Sequence, residues 1–337
     1  MRWAPIVALS LAAGSAEAAP TGPRSAPGPQ DPQNDPATSD LWREVIEPHS
    51  VTVTAILGQA RTAIAKAGES TDDDDDAIDR GARYLGQAYG MLRYARKLSP
   101  ENTDVLSLLG TTADELGKTR QAIDALEACV RIAGPERAGA EVIGRLGMIA
   151  LRLGKLDDAI RWLRYVQSPL ADVDSAVALV HLATALAARG NMAQAIEALT
   201  NALPAQASYF PDPLTLVSFA LAVHYDRDEQ RAAAFGVLDR MQGALQLELG
   251  PFTQRALATM RFAPAEDEYY YQALLYEALG DYTEARAEWL LYAGVNDAPW
   301  RRRALDHVAA IDAQRHASAA RAAAHGAAQV HNRPRVR

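Results

Sequence analysis

The 337-residue chain has a single cysteine, Cys129, so no disulfide can form within it. Lysine is almost as scarce, with Lys66, Lys97, Lys118 and Lys155 the only four against 30 arginines. A net charge of −8 opposes a general phosphate-binding surface, and with it a nucleic-acid partner. No apolar run approaches the ~20 residues that a membrane-spanning helix needs. Nucleophile elbows of the Gly-x-Ser-x-Gly type are absent. Gly117-Lys118-Thr119 resembles the end of a phosphate-binding loop, but Thr112 stands where that loop requires a glycine. The run Asp72 to Asp76 fails as a calcium loop, because Ala77 and Arg83 occupy the positions that need glycine and glutamate. Cys129 falls in a small apolar slot and reads as a packing residue. His307, His316 and His325 are nine apart, which turns successive rings to opposite sides of a helix and prevents a shared metal. The residues therefore point to no cofactor, no metal and no enzyme. What remains is an ordinary globular balance, 23% charged and 49% hydrophobic.

The first 18 residues have the parts of a secretory signal peptide: Arg2, an apolar run from Trp3 to Ala13, and Ala16-Glu17-Ala18 as a cleavage site. Residues 19–39 follow as a proline-rich linker that has too little apolar surface to offset its ordering entropy. These segments lead to the expectation of an exported chain, periplasmic or secreted, with no integral membrane segment after cleavage. Residues 40–68 read as an N-terminal helical segment, interrupted by Pro48 and ending at Gly68.

Beyond it one pattern repeats. The first complete copy runs Leu106, Leu109-Gly110, Ala113, Gly117, Ala122, Leu126 and Cys129. The second runs Ile143, Leu146-Gly147, Ala150, Gly154, Ala159, Leu163 and Val166. The third runs Leu179, Leu182-Ala183, Leu186, Gly190, Ala195, Leu199 and Ala202. A half copy near 77–100 precedes them. A weaker copy follows with Ala222, Ala234, Leu238 and Met241, and with Tyr225-Asp226-Arg227-Asp228 read as its turn. Residues 243–265, with Gly250-Pro251 and Pro264, read as an irregular insertion, and Tyr269 to Tyr292 form the last copy. Apolar residues three and four apart line one face of a helix. Glycine at 117, 154, 190 and 280 then ends the first helix of its pair in a left-handed turn. Alanine marks the close crossing, and the larger residue after it fills the gap to the next pair. Residues 296–315 read as a capping helix and 316–337 as a basic, alanine-rich tail; from Pro299 eight arginines face two aspartates, a net of +6.

Leu146-Gly147, Gly154, Ala159 and Leu163, with Tyr269 through Gly280-Asp281-Tyr282, Ala285 and Tyr292, resemble the signature of the tetratricopeptide repeat family. The resemblance covers about 77–295. It implies an all-α fold, a right-handed superhelical solenoid of antiparallel helix pairs. It also implies a concave groove, lined by first helices, that takes a peptide or a partner's helix. The groove positions are Arg145, Met148, Leu151, Val177, Val180, His181, Thr184, Phe219, Val223, Tyr270 and Leu274. The family's carboxylate clamp is not matched, since Ser107 and Thr111 stand where it uses lysine and asparagine. Two functions fit this reading: a scaffold or assembly factor of the cell envelope that binds a protein or peptide, or a substrate-recognition subunit of an enzyme complex acting on cell-wall or surface polymers.

Overall fold

In the computed structural model the described residues are 49–69, 75–166, 168, 170–205, 211–245 and 248–331. The expected signal peptide and linker lie outside them, as do the start of the N-terminal segment and the end of the tail. The described residues form fourteen helices and no strand. None of these helices is long and apolar enough to cross a membrane. Two compact units divide the chain, one up to Ala138 and one from Gly139 onward. The first complete repeat copy therefore belongs to one unit, and the later copies belong to the other.

The first unit contains α1 (Ser50–Glu69), α2 (Asp75–Leu98), α3 (Thr103–Glu115) and α4 (Thr119–Ala133), each packed on the next. Val53, Leu57, Ala60 and Ala63 of α1 are spaced three and four apart, so they form one stripe. That stripe meets Ala88, Leu92 and Ala95 of α2, and the cluster continues through Val105 and Leu109 of α3 to Ala125 of α4. Asn102 starts α3 by accepting a hydrogen bond from the Val105 amide at 3.0 Å. Cys129 is buried and its thiol donates to the Thr103 carbonyl at 3.6 Å, consistent with a packing residue.

The second unit contains α5 (Ala140–Arg152), α6 (Leu156–Leu163), α7 (Val173–Ala188), α8 (Met192–Ala202), α9 (Asp212–Arg227) and α10 (Arg231–Leu245). It continues through α11 (Leu249–Ala258), α12 (Asp267–Leu279), α13 (Tyr282–Gly294) and α14 (Arg301–His331). Successive first helices pack on one another, as α5 does on α7 and α7 on α9, while each second helix packs on its own partner. This is the all-α arrangement of serial helix pairs that the repeats require.

One turn closes every complete pair. The amide of Lys118, Lys155, Asn191, Gln230 or Asp281 donates to the carbonyl five residues earlier, at 2.8 to 2.9 Å. The residue before each of them takes a positive φ: 69° at Gly117 and Gly154, 88° at Gly190 and 81° at Gly280. In the remaining pair Glu229 takes that conformation, with φ 58°. The turn therefore lies after Tyr225-Asp226-Arg227 and not within it, and Asp226 and Arg227 are the buried last residues of α9.

The crossing is tight for a second reason. A Cβ at Gly110 would lie 2.4 Å from Leu126 Cγ, and one at Gly147 would lie 2.3 Å from Leu163 Cγ. The glycine of each Leu-Gly pair thus lets the large residue of the second helix sit against backbone. Ala122, Ala159, Ala195 and Ala285 at the same crossing are fully buried.

Two expectations change. Residues 243–265 are not merely irregular, because they contain α11. No break separates the expected capping helix from the described part of the basic tail, since α14 runs from Arg301 to His331.

Candidate functional site

The residues expected to line a groove are mostly core. Met148, Leu151, Val180, His181, Thr184, Phe219, Val223, Tyr270 and Leu274 are buried, while Arg145 and Val177 are half-buried. The insertion covers part of this lining in the second unit. α11 packs on α9, burying its own Leu249, Thr253, Ala256 and Leu257. Arg255 grips Asp212 at the start of α9 through two nitrogens, with Nη2 at 2.7 Å and Nε at 3.0 Å from Oδ1. Gly250 lets α11 approach the end of α12, where an added Cβ would meet Leu279 Cδ1 at 3.1 Å. The chain leaving α11 reaches α7, where the Arg261 carbonyl lies 2.9 Å from His181 Nε2. Phe262 then packs edge-on against Tyr271 of α12, and Tyr271 meets Phe219 of α9. Burial holds His181 neutral, lowering its pKa to about 4.

The second concentration of polar chemistry lies where α14 seats on α9, α12 and α13. Its centre is Asp226, fully buried at the end of α9. Asp226 accepts from the Tyr270 hydroxyl at 2.7 Å, from the Arg303 guanidinium, and from His307 Nε2 at 2.9 Å. The other nitrogen of His307 lies 2.7 Å from Glu277 Oε2, which also accepts from Trp289 Nε1 at 3.1 Å. A neutral imidazole has one donor, so bridging two carboxylates through both nitrogens requires the imidazolium. Burial alone would lower its pKa, but the hydrogen bonds to Asp226 and Glu277 outweigh that and raise it. The same bonds, with those from Arg303, hold Asp226 far below the usual carboxylate range despite its burial. Trp289 stacks on the imidazolium with centroids 4.3 Å apart.

Arg227 completes the cluster. Its side chain is 0% exposed and bonds Asp267 through Nη2 at 2.7 Å. Nε and Nη1 have no hydrogen-bond partner, but aromatic faces surround them. The guanidinium carbon is 4.0 Å from the Trp300 ring centre, 4.6 Å from that of Tyr270 and 5.7 Å from that of Tyr271. The ring quadrupoles stabilise the charge where no second carboxylate is present. Chemically the array is a latch: each side chain holds another, and both imidazole nitrogens of His307 are already engaged.

Of the candidate groove residues, the latch includes only Tyr270. It also brings together Asp226, Glu277, Arg303 and His307, which sequence reasoning had not connected. The available signal was an acid and an arginine side by side at 226 and 227 in an otherwise apolar helix.

A tetratricopeptide-repeat family model matches residues 103–135, which contain α3, the Gly117 turn and α4. This stretch is a tetratricopeptide repeat. No curated protein matches the chain. The turn that closes this repeat recurs at Gly154, Gly190, Glu229 and Gly280, so the helix pairs of the second unit share the tetratricopeptide form.

Proposed function

We propose that the chain is a non-enzymatic interaction module that holds a protein or peptide partner in the cell envelope. The observation that carries this is the tetratricopeptide repeat at 103–135, a module whose general role is protein–protein interaction. The envelope location rests on the signal-like residues 1–18 and the proline-rich linker behind them. In the second unit α11 packs on α9 and α12, which carry part of the expected lining, so the partner meets the surface that the insertion leaves open. Arg145 and Val177 are the half-buried members of that lining.

Fractionation followed by crosslinking of the tagged full chain in its host tests the proposal. The expected result is an envelope-fraction protein that starts after residue 18 and crosslinks to a defined protein. Recovery of an intact N-terminus in the cytosol would end the export reading. Recovery of a polysaccharide without any protein partner would end the scaffold reading.

A further inference from the structure

The first unit carries a cluster of cations with no carboxylate partner among the described residues, and we infer that this face of α2 docks an acidic peptide segment of the partner. The inference rests on the interaction role proposed above and deepens it by naming the surface and the chemistry of the ligand. Tyr89 is the centre of the cluster: the Arg93 guanidinium lies 5.8 Å from its ring centre and the Lys118 ammonium 5.4 Å. Arg96 follows Arg93 by three residues and Lys97 follows it by four, so all three crowd one end of α2. Arg93, Lys97 and Lys118 are exposed, and Tyr94 beside them is 55% exposed. Arg93, Arg96, Lys97 and Lys118 have no carboxylate partner among the described residues.

Like charges one turn apart repel and weaken a helix. The acids of α2 do not relieve this, since Asp75, Asp76 and Asp79 all stand in its first five residues, about 20 Å or more from Arg93 along the axis. The sparing use of lysine adds weight, because two of only four in the chain belong to this cluster. Gly90 lies on the same exposed side, with no heavy atom within 4 Å of where its Cβ would be, so a bound segment can lie close to the helix. Tyr89 and Tyr94 offer rings of the kind that anchor interfaces.

A short acidic peptide fits better than a nucleic acid. The footprint is three cations on little more than one turn of α2, with Lys118 from the start of α4 beside them, and the net charge of −8 repels a long polyanion.

The test uses the full chain and a fluorescein-labelled decapeptide of alternating glutamate and glycine, with a glutamine–glycine decapeptide and a single-stranded oligothymidine as comparisons. Fluorescence anisotropy should show saturable binding of the glutamate peptide that weakens with salt, and none of the glutamine peptide. Arg93→Gln with Lys97→Gln should weaken it by roughly tenfold or more. Arg301→Gln with Arg302→Gln, which removes exposed charge elsewhere, should leave it unchanged. Circular dichroism of the first pair should show an unchanged or slightly raised melting temperature, since a repulsion is removed. Equal binding by wild type and the Arg93/Lys97 variant would overturn the inference, as would tighter binding of the oligothymidine or sedimentation of the charge-bearing wild type as a dimer that excludes the peptide. A variant that still crosslinks the cellular partner would refute this surface while leaving the interaction role standing. Failure of the wild type to crosslink any protein would defeat that role itself.

Discussion

Gly147→Ala, made with and without Leu163→Ala, tests the close crossing in a way that simple loss of stability does not. At Gly147 an added Cβ would lie 2.3, 2.5 and 2.8 Å from Leu163 Cγ, Cδ2 and Cδ1. Leu163 is 1% exposed, so it has no free volume into which to move. Alanine is favoured over glycine within a helix by about 1 kcal/mol, while overpacking a filled core costs about 1–3 kcal/mol. Gly147→Ala alone should therefore be neutral to about 2 kcal/mol destabilised. Leu163→Ala alone should cost about 2–5 kcal/mol through lost burial and the cavity left behind. In the double variant the clash disappears, because the new methyl group enters the space that the leucine vacates, and only the helix preference of alanine remains. The double variant should then be about 1 kcal/mol more stable than Leu163→Ala, which corresponds to a coupling of about 1–3 kcal/mol. Urea unfolding followed by helical circular dichroism measures all four corners of the cycle. Gly236→Ala is the control: nothing lies within 4 Å of its added Cβ, so it should gain up to about 1 kcal/mol. An additive cycle, with Gly147→Ala shifting stability equally in both backgrounds, would refute the packing argument.

Three further outcomes follow from the polar sites and turns. The raised pKa of His307 means that its contribution is complete below the unfolded value of about 6.5 and is lost as pH rises through the folded value. Protection of the amides at the start of α14, measured against their intrinsic exchange rate at each pH, should accordingly fall at alkaline pH in the wild type, and this fall should be absent in His307→Gln. His181 and His224 are buried and neutral, lowered to about 4 and about 3, so stability should fall as pH drops below about 6.5. The loss at His181 amounts to about 3 kcal/mol by the time pH reaches its folded value, and a melting temperature that stays flat from neutral to mildly acid pH would contradict it. Glu229→Gly should stabilise the second unit by about 1 kcal/mol in urea titration, because φ 58° strains any residue with a Cβ, whereas Gly154→Ala should lose a similar amount.

The repeats were readable because their signals are local. Alanine at 159, leucine at 163 and glycine at 154 fall within three helical turns, and their spacing alone sets the faces that meet. The same locality explains what was missed. Glu229 occupies a left-handed turn without the glycine that normally marks one, so the turn was placed at 225–228. Gly250-Pro251 reads as a break, yet both lie in the first turn of α11, where the amide that proline lacks would have no helical partner. His307 was considered against the histidines of its own helix, while its partners Glu277 and Asp226 are 30 and 81 residues away. Whether the groove is open was likewise invisible, because it depends on where the insertion packs and not on which residues line it.

The latch around Asp226 and Arg227 has a consequence for how long the repeat array can be. A stack of identical pairs can in principle be lengthened at its end, since each new pair buries the apolar face of the last. Here the end of α9 offers α14 a buried carboxylate that requires Arg303 and His307, and a buried guanidinium that Trp300 covers. An ordinary further repeat inserted after Gly294 would leave Asp226 without its two cations, at a cost of about 3–5 kcal/mol, and would strip the Trp300 ring from Arg227, which Asp267 still holds. α14 is therefore a terminator written in electrostatics, and the number of repeats is set by that one complementary end. It is also made after every helix that it meets, so during synthesis the latch remains unfinished until the ribosome has passed His307.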